Sequence, residues 1–445
     1  MSSVSLPSRS RFPADFRFGA ATSAYQIEGS SFGGCGTSHW DTFAITPGNV
    51  VRGETGAIAC DHYHRFAEDL DLVRDAGLDS YRFSVSWPRV LPDGRGQPNA
   101  KGLDFYDRLI DAILERGLKP SVTLYHWDLP AALADLGGWR NRDIAGWFAD
   151  YTELVVGRLG DRMDSVATIN EPWCVAWLSH FLGIHAPGLR DIRAAAHAMH
   201  HVLLAHGRSI EVMRAMGIAN LGIVTNFEHV EPASERAEDV AAASRYEGIY
   251  NRWFISAIFR KEYPDDVLEG LMPHMPANFA DDFDIIGRKL DWHGINYYTR
   301  QLIADDGSGL FPAVRTVEGP LPKTQMGWEI YPEGLYKLIK WSCEEYSGGI
   351  PIHITENGLA SPDTISGGKV LDEMRIGYLA GHMEMVLKAV EEGLPVKSYY
   401  MWSLLDNYEW ALGYEKRFGL IHVDFETLER TPKESWHRLK AAMAS

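Results

Sequence analysis

The chain has 445 residues, 45% of them apolar, and a formal net charge of −17. This length allows a large buried core, but (β/α)8 barrels can exceed about 400 residues, so length does not fix the number of domains. The negative charge and the lack of a basic face argue against nucleic acid as a partner and favour a neutral or weakly charged small-molecule substrate.

The cysteines and the N-terminus bear on the compartment. Cys35, Cys60, Cys174 and Cys343 have no CxxC spacing, which favours reduced thiols, although one disulfide stays open. The polar segment Met1–Arg11 lacks the apolar stretch of about 7–15 residues found in signal peptides. No apolar run of about 18 residues could span a bilayer. We therefore expect a cytoplasmic protein with no membrane partner, and a homo-oligomer stays open.

Short apolar segments alternate eight times with amphipathic segments along the chain. Segments such as Leu221–Thr225 lack strict polar alternation, which is typical of parallel strands covered on both faces. The predicted strands are Phe16–Thr22, Ser80–Trp87, Lys119–Trp127, Ser165–Glu171, Asn220–Phe227, Asp291–Tyr298, Ile350–Asn357 and Val396–Leu404.

The segments between these strands repeat apolar residues at the helical period. The predicted helices are Asp61–Ala76, Gly102–Arg116, Arg142–Leu159, Arg193–Met216, Ala237–Lys261, Glu333–Tyr346 and Glu373–Glu392. A last helix is expected with Thr431 as N-cap, Pro432 as first residue and Glu434 completing a capping box. Eight strand–helix units without a break in composition predict an α/β fold, a single (β/α)8 TIM barrel over residues 1–445.

An open doubly wound sheet with a cap domain is the alternative fold. It would more often have a glycine-rich phosphate turn after the first strand, where this chain has Ser23–Gly29. Two long segments, Gly29–Cys60 and Arg300–Gly327, follow predicted strands. Because the loops after the strands build the active face of a barrel, long βα loops are expected to form an active-site cleft. Disordered surface loops are the alternative interpretation.

Polar and aromatic residues stand at or near the carboxyl ends of the predicted strands, where a barrel carries its chemistry. Two strands end in a glutamate beside an asparagine, in the pairs Asn170–Glu171 and Glu356–Asn357. The residues at the other ends are Gln26, Arg82, His126, Trp127, Asn226, Asn296, Tyr298 and Trp402.

This combination suits a sugar, which presents hydroxyls around a ring with apolar faces. Amides, imidazole and carboxylates bind adjacent hydroxyls, and indole rings stack on C–H faces. Trp127, Trp402, Trp410 and Trp328 are the candidates for stacking. Most of the 14 tryptophans must pack in the core, but Trp402 and Trp410 flank an acid, Glu409, which favours a place in the site.

Glu171 and Glu356 are the candidate carboxyl pair for glycoside hydrolysis. In enzymes that retain configuration the two groups lie about 5–5.5 Å apart, one protonated to protonate the leaving oxygen and one ionised to attack the anomeric carbon. Burial and a nearby negative charge raise the pKa of the acid, while a cation and hydrogen-bond donors keep the nucleophile ionised. Arg82 and Tyr298 are the candidates for tuning the nucleophile.

Ordered motifs over nearly the whole chain resemble those of glycoside hydrolase family 1, the β-glucosidase family. They are Phe12–Phe16, Ala21–Gly29, Tyr125–Pro130, Thr168–Pro172, Gly294–Tyr298, Ile354–Gly358 and Trp402–Trp410. The resemblance implies a retaining β-glucosidase that removes the terminal non-reducing glucosyl residue from cellobiose, short cello-oligosaccharides and aryl or alkyl β-glucosides, as in cellulose degradation. Activity on β-galactosides and β-fucosides, and transglycosylation, stay open.

The resemblance also implies roles for individual residues. Glu171 would be the acid/base and Glu356 the nucleophile, oriented by Arg82 and Tyr298. Asn296 would lie near the acid/base, and Trp328 and the segment Trp177–His185 would face the leaving group. The residues implied to hold the non-reducing sugar are Gln26, His126, Asn170, Glu409, Trp410 and, stacked beneath it, Trp402.

Position 409 also bears on whether the sugar carries a phosphate. The branch of the family that cleaves 6-phosphoglycosides has serine at this position, and lysine and tyrosine seven and nine residues later. This chain has Glu409, Lys416 and Phe418. A carboxylate there would repel a phosphate dianion, so an unphosphorylated sugar is expected.

Metal catalysis and a sugar-binding protein without turnover are the rival hypotheses. His62 and His64, like His197, His200 and His201, are close in sequence, but no HExxH or carboxylate–histidine set accompanies them. No metal and no cofactor are therefore expected. Because both glutamates are present, nothing in the sequence favours loss of catalysis.

Overall fold

The segments predicted as strands form one closed parallel barrel in the computed structural model, which describes residues 5–445. The strands within those residues are β1 (Arg17–Ala21), β2 (Ser80–Ser84), β3 (Lys119–Tyr125), β4 (Ser165–Asn170), β5 (Leu221–Pro232), β6 (Trp292–Ala304), β7 (Arg315–Val317), β8 (Ile352–Asn357), β9 (Val396–Trp402), β10 (Ile421–Val423) and β11 (Arg430–Pro432). Strands β5, β4, β3, β2, β1, β9, β8 and β6 adjoin in that order, and pairing of β5 with β6 closes the barrel. The predicted (β/α)8 barrel is confirmed, and the open doubly wound sheet is excluded.

Helices cover the outside of the barrel and bury its apolar strands in one large core. Over residues 5–445 the α-helices are Ala24–Ile27, His39–Ile45, His62–Asp75, Trp87–Val90, Ala100–Glu115, Ala131–Asp135, Ile144–Leu159, Ile192–Ala215, Ala237–Glu247, Trp253–Arg260, Asp265–Leu271, Phe283–Ile286, Pro332–Ser342, Glu373–Glu391 and Glu434–Met443. Short π-helical turns occupy Cys174–Leu178, Gly248–Arg252 and Cys343–Ser347. The predicted helix Ala237–Lys261 therefore has a π-helical turn between two α-helical parts.

The C-terminal helix begins later than its sequence pattern predicts. Residues Arg430–Pro432 pair antiparallel with Ile421–Val423, so Thr431 and Pro432 belong to a strand. The N-cap is Lys433, whose N–H donates to the carbonyl of Leu420. The predicted capping box at Thr431 is wrong because pairing with β10 outweighs the local N-cap pattern.

The long segments after the strands have defined secondary structure. Gly29–Cys60 contains the helix His39–Ile45, which begins with a capping box between Ser38 and Asp41. The interpretation of Arg300–Gly327 as a loop is wrong at its start, because β6 runs on to Ala304 and pairs with β7. Strands β5 and β6 stay paired to their ends, beyond the reach of β4 and β8. They therefore project from the barrel as a ribbon, to which β7 adds a third strand at the end of β6.

No helix within residues 5–445 is long and apolar enough to cross a membrane. Residues 1–4 of the polar segment Met1–Arg11 lie outside the described part of the chain.

Candidate active site

A cavity of about 400 Å³ opens at the carboxyl ends of the barrel strands. Both candidate carboxyls line it, and only 5% of Glu171 and 3% of Glu356 are exposed. The other predicted site residues on its wall are His126, Trp127, Asn226, Tyr298, Trp328, Trp402, Glu409 and Trp410. Gln26, Arg82, Asn170 and Asn296 are buried behind these side chains.

Glu356, near the end of β8, is held by two strong donors. Arg82 Nη1 donates to Oε1 at 2.6 Å, and the Tyr298 hydroxyl donates to Oε2 at 2.6 Å. Burial raises the pKa of Glu356, but Arg82 and Tyr298 favour the ionised form and oppose this rise. The contacts are those expected of a carboxylate that has to stay charged.

Glu171 follows β4 and has a different environment. Its oxygens accept hydrogen bonds from neutral donors, Asn296 Nδ2 at 2.6 Å and Cys174 Sγ at 3.1 Å. Burial and then the neighbouring charge of Glu356 raise the pKa of Glu171 to about 8. A carboxyl group with this pKa is protonated at neutral pH and can donate a proton.

The backbone of Glu171 is left-handed, with a φ of 51°. This conformation costs an L-residue roughly 1–2 kcal/mol. The pairing of β4 with β5 shifts register between Ala167 and Asn170, and the Glu171 N–H donates to the carbonyl of Val224 at 2.8 Å. This contact with the neighbouring strand holds Glu171 in the conformation that presents its side chain to the cavity.

A buried hydrogen-bond network joins the two carboxyls. Asn170 Oδ1 accepts from Arg82 Nη2 at 2.7 Å and from Asn296 Nδ2 at 3.1 Å. Through these bonds Arg82 links Asn170 to Glu356, and Asn296 links Asn170 to Glu171. Arg82, Asn170 and Asn296 are buried and lie behind the residues that line the cavity.

Aromatic rings form one end of the cavity. The ring of His126 stacks on Trp402 and on Trp410, with centroids 5.7 and 6.1 Å apart and interplanar angles of 14° and 15°. Trp127 lies 4.7 Å from Trp410, and its indole N–H donates to the carbonyl of Asn170 at 2.9 Å. The rings of Trp402 and Trp410 thus lie nearly parallel to that of His126 and form an aromatic wall, which suits the C–H face of a sugar ring.

Glu409 places a third carboxyl at this end. Burial, followed by the charges of Glu356 and Glu171, raises the pKa of Glu409 to about 8. Gln26 lies behind it, with Nε2 3.5 Å from a carboxyl oxygen of Glu409. Lys416 pairs with Glu415 at 2.6 Å and does not line the cavity, so it provides no phosphate site there.

The opposite end contains residues that the sequence patterns did not indicate. They are Trp173, Cys174, Glu228, Tyr246, Tyr250 and Gln301. Glu228 lies two residues beyond Asn226, and the two-residue period of a strand would have placed both on one side if the predicted strand had been continued past Phe227. Of the segment Trp177–His185, only Leu178, Ile184 and His185 line the cavity. Trp177 instead packs on Phe181, with ring centroids 4.0 Å apart.

The closely spaced histidines do not form a metal site. Within residues 5–445 no group of three or more histidine, cysteine, aspartate or glutamate side chains is placed to hold a metal ion. His200 binds the Tyr263 hydroxyl and Asp282, and His62 binds Asp69. His200 therefore joins the helix Ile192–Ala215 to Tyr263 and Asp282, whereas His62 and Asp69 both lie in the helix His62–Asp75.

Comparison with known proteins gives consistent matches over the whole chain. The sequence model described as glycosyl hydrolase family 1 matches residues 8–444. A 1,4-β-D-glucan glucohydrolase of Thermotoga neapolitana is 49% identical over 431 residues, which are 96% of each chain.

Two solved structures from Thermotoga maritima have the same fold. A family 1 β-glucosidase has a TM-score of 0.95 at 46% identity, covering 100% of this chain and 99% of that one. A β-glucosidase in complex with castanospermine has a TM-score of 0.94 at 47% identity, covering 97% of this chain and 98% of that one.

Proposed function

This chain belongs to glycosyl hydrolase family 1 and is a β-glucosidase that retains configuration, and we propose that Glu171 is its general acid/base and Glu356 its nucleophile. The observation that carries the assignment is the difference between the two carboxyl environments. Glu356 accepts hydrogen bonds from a guanidinium and a phenol, whereas Glu171 accepts from an amide and a thiol. The cation favours the ionised form of Glu356, and burial beside that charge favours the protonated form of Glu171.

The first half of the reaction uses both groups at once. Glu171 gives its proton to the glycosidic oxygen while Glu356 attacks the anomeric carbon, so the glycosidic bond breaks as the glucosyl–enzyme ester forms. Glu356 then carries no charge, and the pKa of Glu171 falls because its main charged neighbour has been neutralised. Glu171 can therefore take a proton from water in the second half, and water displaces Glu356 to release β-glucose.

The wall formed by His126, Trp402 and Trp410 is the proposed site of the non-reducing glucosyl ring. Glu409 would bind its hydroxyls, and an unphosphorylated sugar fits this carboxyl better than a phosphate dianion would. Such contacts are compatible with glucosides, galactosides and fucosides, and transfer of the glucosyl group to an alcohol uses the same residues.

We also propose that residues 1–445 act as a single catalytic domain in the cytoplasm. The four cysteines are all free thiols, which agrees with a reducing compartment.

Proton NMR of the purified protein with nitrophenyl β-glucoside tests this mechanism. The β anomer of glucose should appear first, because two displacements restore the original configuration. If α-glucose appears first, a single displacement by water takes place and Glu356 cannot be a covalent nucleophile.

A further inference from the structure

The loop after β9 carries Glu409 and leads directly into Trp410. Residues 403–409 of this loop form neither a helix nor a strand, yet all of them except Glu409 are buried. Their conformation therefore depends on contacts with other parts of the chain. Because Glu409 and Trp410 line the cavity, the same contacts decide where this part of the cavity wall lies.

The hairpin formed by β10 and β11 supports one side of the loop. The Asp406 N–H donates to the carbonyl of Ile421 in β10 at 2.9 Å. From β11, Arg430 Nε donates to the buried carboxylate of Asp69 at 2.9 Å, which fixes the hairpin to the helix His62–Asp75. The hairpin therefore joins the loop to a helix on the outside of the barrel.

A buried cluster of charged side chains makes a second contact with the loop. Lys433 Nζ donates to Asp406 Oδ1 at 2.6 Å and also to Asp363 Oδ2. Arg417 Nη1 donates to Asp406 Oδ2 at 2.7 Å, and Arg375 Nη2 lies 2.7 Å from Asp363 Oδ2. Asp406 and Lys433 are both 0% exposed. Each carboxylate oxygen of Asp406 thus binds a cation from outside the loop.

The charges within the cluster balance. Arg375 also pairs with Asp372, so that three carboxylates face three cations. A buried set of this kind adds little stability compared with well-packed apolar residues, although removal of one partner leaves an unpaired buried charge. What the directed hydrogen bonds do fix is the position of Asp406, and with it the loop.

From Asp406 the chain reaches the sugar site within three residues. Asn407 Oδ1 and the Tyr408 carbonyl both accept from Gln26 Nε2, at 3.1 and 2.8 Å. The same amide nitrogen lies 3.5 Å from a carboxyl oxygen of Glu409. A shift of Asp406 would therefore move Glu409 relative to Gln26 and change the contacts offered to the glucosyl ring.

We propose that Asp406 and Lys433 are positioning residues of the glucosyl site, which hold the loop after β9 so that Glu409 meets the hydroxyls of the sugar. Neither residue lines the cavity, so both act through the loop. This inference rests on the proposed function, because it takes Glu409 as a ligand of the glucosyl ring. It gives the C-terminal hairpin and the residue after it a part in substrate recognition.

Asp406→Asn and Lys433→Met test this role, and Asp372→Asn is the matched control. Asp372 is also buried and pairs with Arg375 in the same cluster, but it binds Ser435 and not the loop. All three variants should lower the midpoint of thermal unfolding, because each breaks a buried ion pair.

Activity separates positioning from stability when it is measured well below that midpoint. For Asp406→Asn and Lys433→Met, kcat/KM on nitrophenyl β-glucoside should fall about 10-fold or more, because a displacement of about 1 Å can cost about 100-fold. For Asp372→Asn the change should stay below about 3-fold, since the loop keeps its contacts.

A double-variant cycle shows whether Asp406 acts through Glu409. In the Glu409→Ala enzyme, the further loss caused by Asp406→Asn should shrink to less than about 3-fold, because the effects of residues that act through one another do not add. A further loss as large as in the unaltered enzyme would mean that Asp406 acts elsewhere, and would overturn the inference.

Two other results would also overturn it. An unchanged kcat/KM in both Asp406→Asn and Lys433→Met would mean that the cluster only stabilises the fold, and an equal loss in Asp372→Asn would mean that it supports the barrel as a whole. Should Lys433→Met not fold, Asp406→Asn applies the same test with the shape of the side chain retained. Failure of the proposed function would instead appear in the unaltered enzyme, as absent turnover of nitrophenyl β-glucoside or early release of α-glucose.

Discussion

Two arcs of the barrel rim differ in how tightly their polar groups are already bonded. Glu171, after β4, and Glu356, on β8, divide the strands around the barrel into these arcs. The glycone arc consists of β9, β1, β2 and β3 with the loops after them, and it includes the wall proposed to bind the glucosyl ring. The aglycone arc consists of β5 and β6, toward which a ring bound on the glycone arc directs its leaving group.

On the glycone arc, the Gln26 amide accepts from Ser23 and donates to the Tyr408 carbonyl at 2.8 Å, and the ring of Tyr25 stacks on Trp410 from behind the cavity wall. On the aglycone arc, Glu228 and Gln301 are half-buried and joined by a bond of 3.4 Å. The amide of Gln26 is therefore more fully hydrogen-bonded within the protein than that of Gln301, which keeps more hydrogen-bonding capacity for a ligand.

The largest expected effect is that of removing Glu356, which attacks the sugar of every substrate whatever its leaving group. Glu356→Ala should reduce kcat on every substrate by more than about 1000-fold, because no group remains to form the ester. Both arcs remain intact, so binding of a glucose-like inhibitor should persist. Turnover assays measure the loss of kcat, and calorimetry measures the binding of the inhibitor. Substantial remaining turnover, with contamination excluded, would refute the nucleophile assignment.

Glu171→Ala should separate substrates by their leaving groups. General acid catalysis is worth about 100- to 10,000-fold, but nitrophenolate leaves with little need for a proton. We therefore expect a large loss in the glycosylation rate of alkyl glucosides and a much smaller one for nitrophenyl glucoside, measured under single-turnover conditions. Equal losses on both would contradict the acid role.

Glu409→Ala tests the glycone arc against the aglycone arc. Because both cellobiose and nitrophenyl β-glucoside present the same glucosyl ring to Glu409, kcat/KM should fall by a similar factor on each, about 10- to 100-fold. If Glu409→Ala were instead selective for one leaving group, the division of the rim into two arcs would be wrong.

The smallest expected effect lies at the boundary between the arcs, where Cys174 donates to Glu171. This bond favours the ionised carboxyl and so lowers its pKa. Activity needs the protonated acid and is lost as pH rises through that pKa, so Cys174→Ala should move the basic limb of the kcat/KM profile to higher pH. Cys174→Ser, with a better donor, should move it to lower pH, each by less than about 1 unit. If the basic limb of the kcat/KM profile stays at the same pH in both variants, Cys174 does not influence the pKa of Glu171.

The glycone arc could be predicted from sequence more fully than the aglycone arc. Its residues lie in or directly after strands with clear apolar patterns, so Trp402 and His126 could be placed at the strand ends. Glu228 lies where β5 continues past the barrel, and a strand predicted to stop at Phe227 left it out. Whether β5 continues depends on its pairing with β6, which no local pattern records.

The same physical reason explains the error at the C-terminal helix. Thr431 and Pro432 fit the start of a helix by local rules, but their pairing with β10 decided the structure. This contact with another part of the chain overrides what neighbouring residues suggest. Trp177 is in the segment predicted to face the leaving group, yet its ring packs on Phe181, four residues along the same segment.

Three residues of the cavity wall, Trp127, Glu171 and Trp410, have left-handed backbones, with φ of 80°, 51° and 51°. Each side chain is therefore presented to the substrate at some cost in folding free energy, about 1–2 kcal/mol per residue. Glycine adopts such angles without that cost. At Trp127 and Trp410 the lost packing of the indole, about 3–5 kcal/mol, outweighs this gain. At Glu171, a buried carboxyl, a search for more heat-resistant variants should find glycine favourable and should lose activity as it does so. Thermal stability and turnover would then be selected in opposite directions at Glu171.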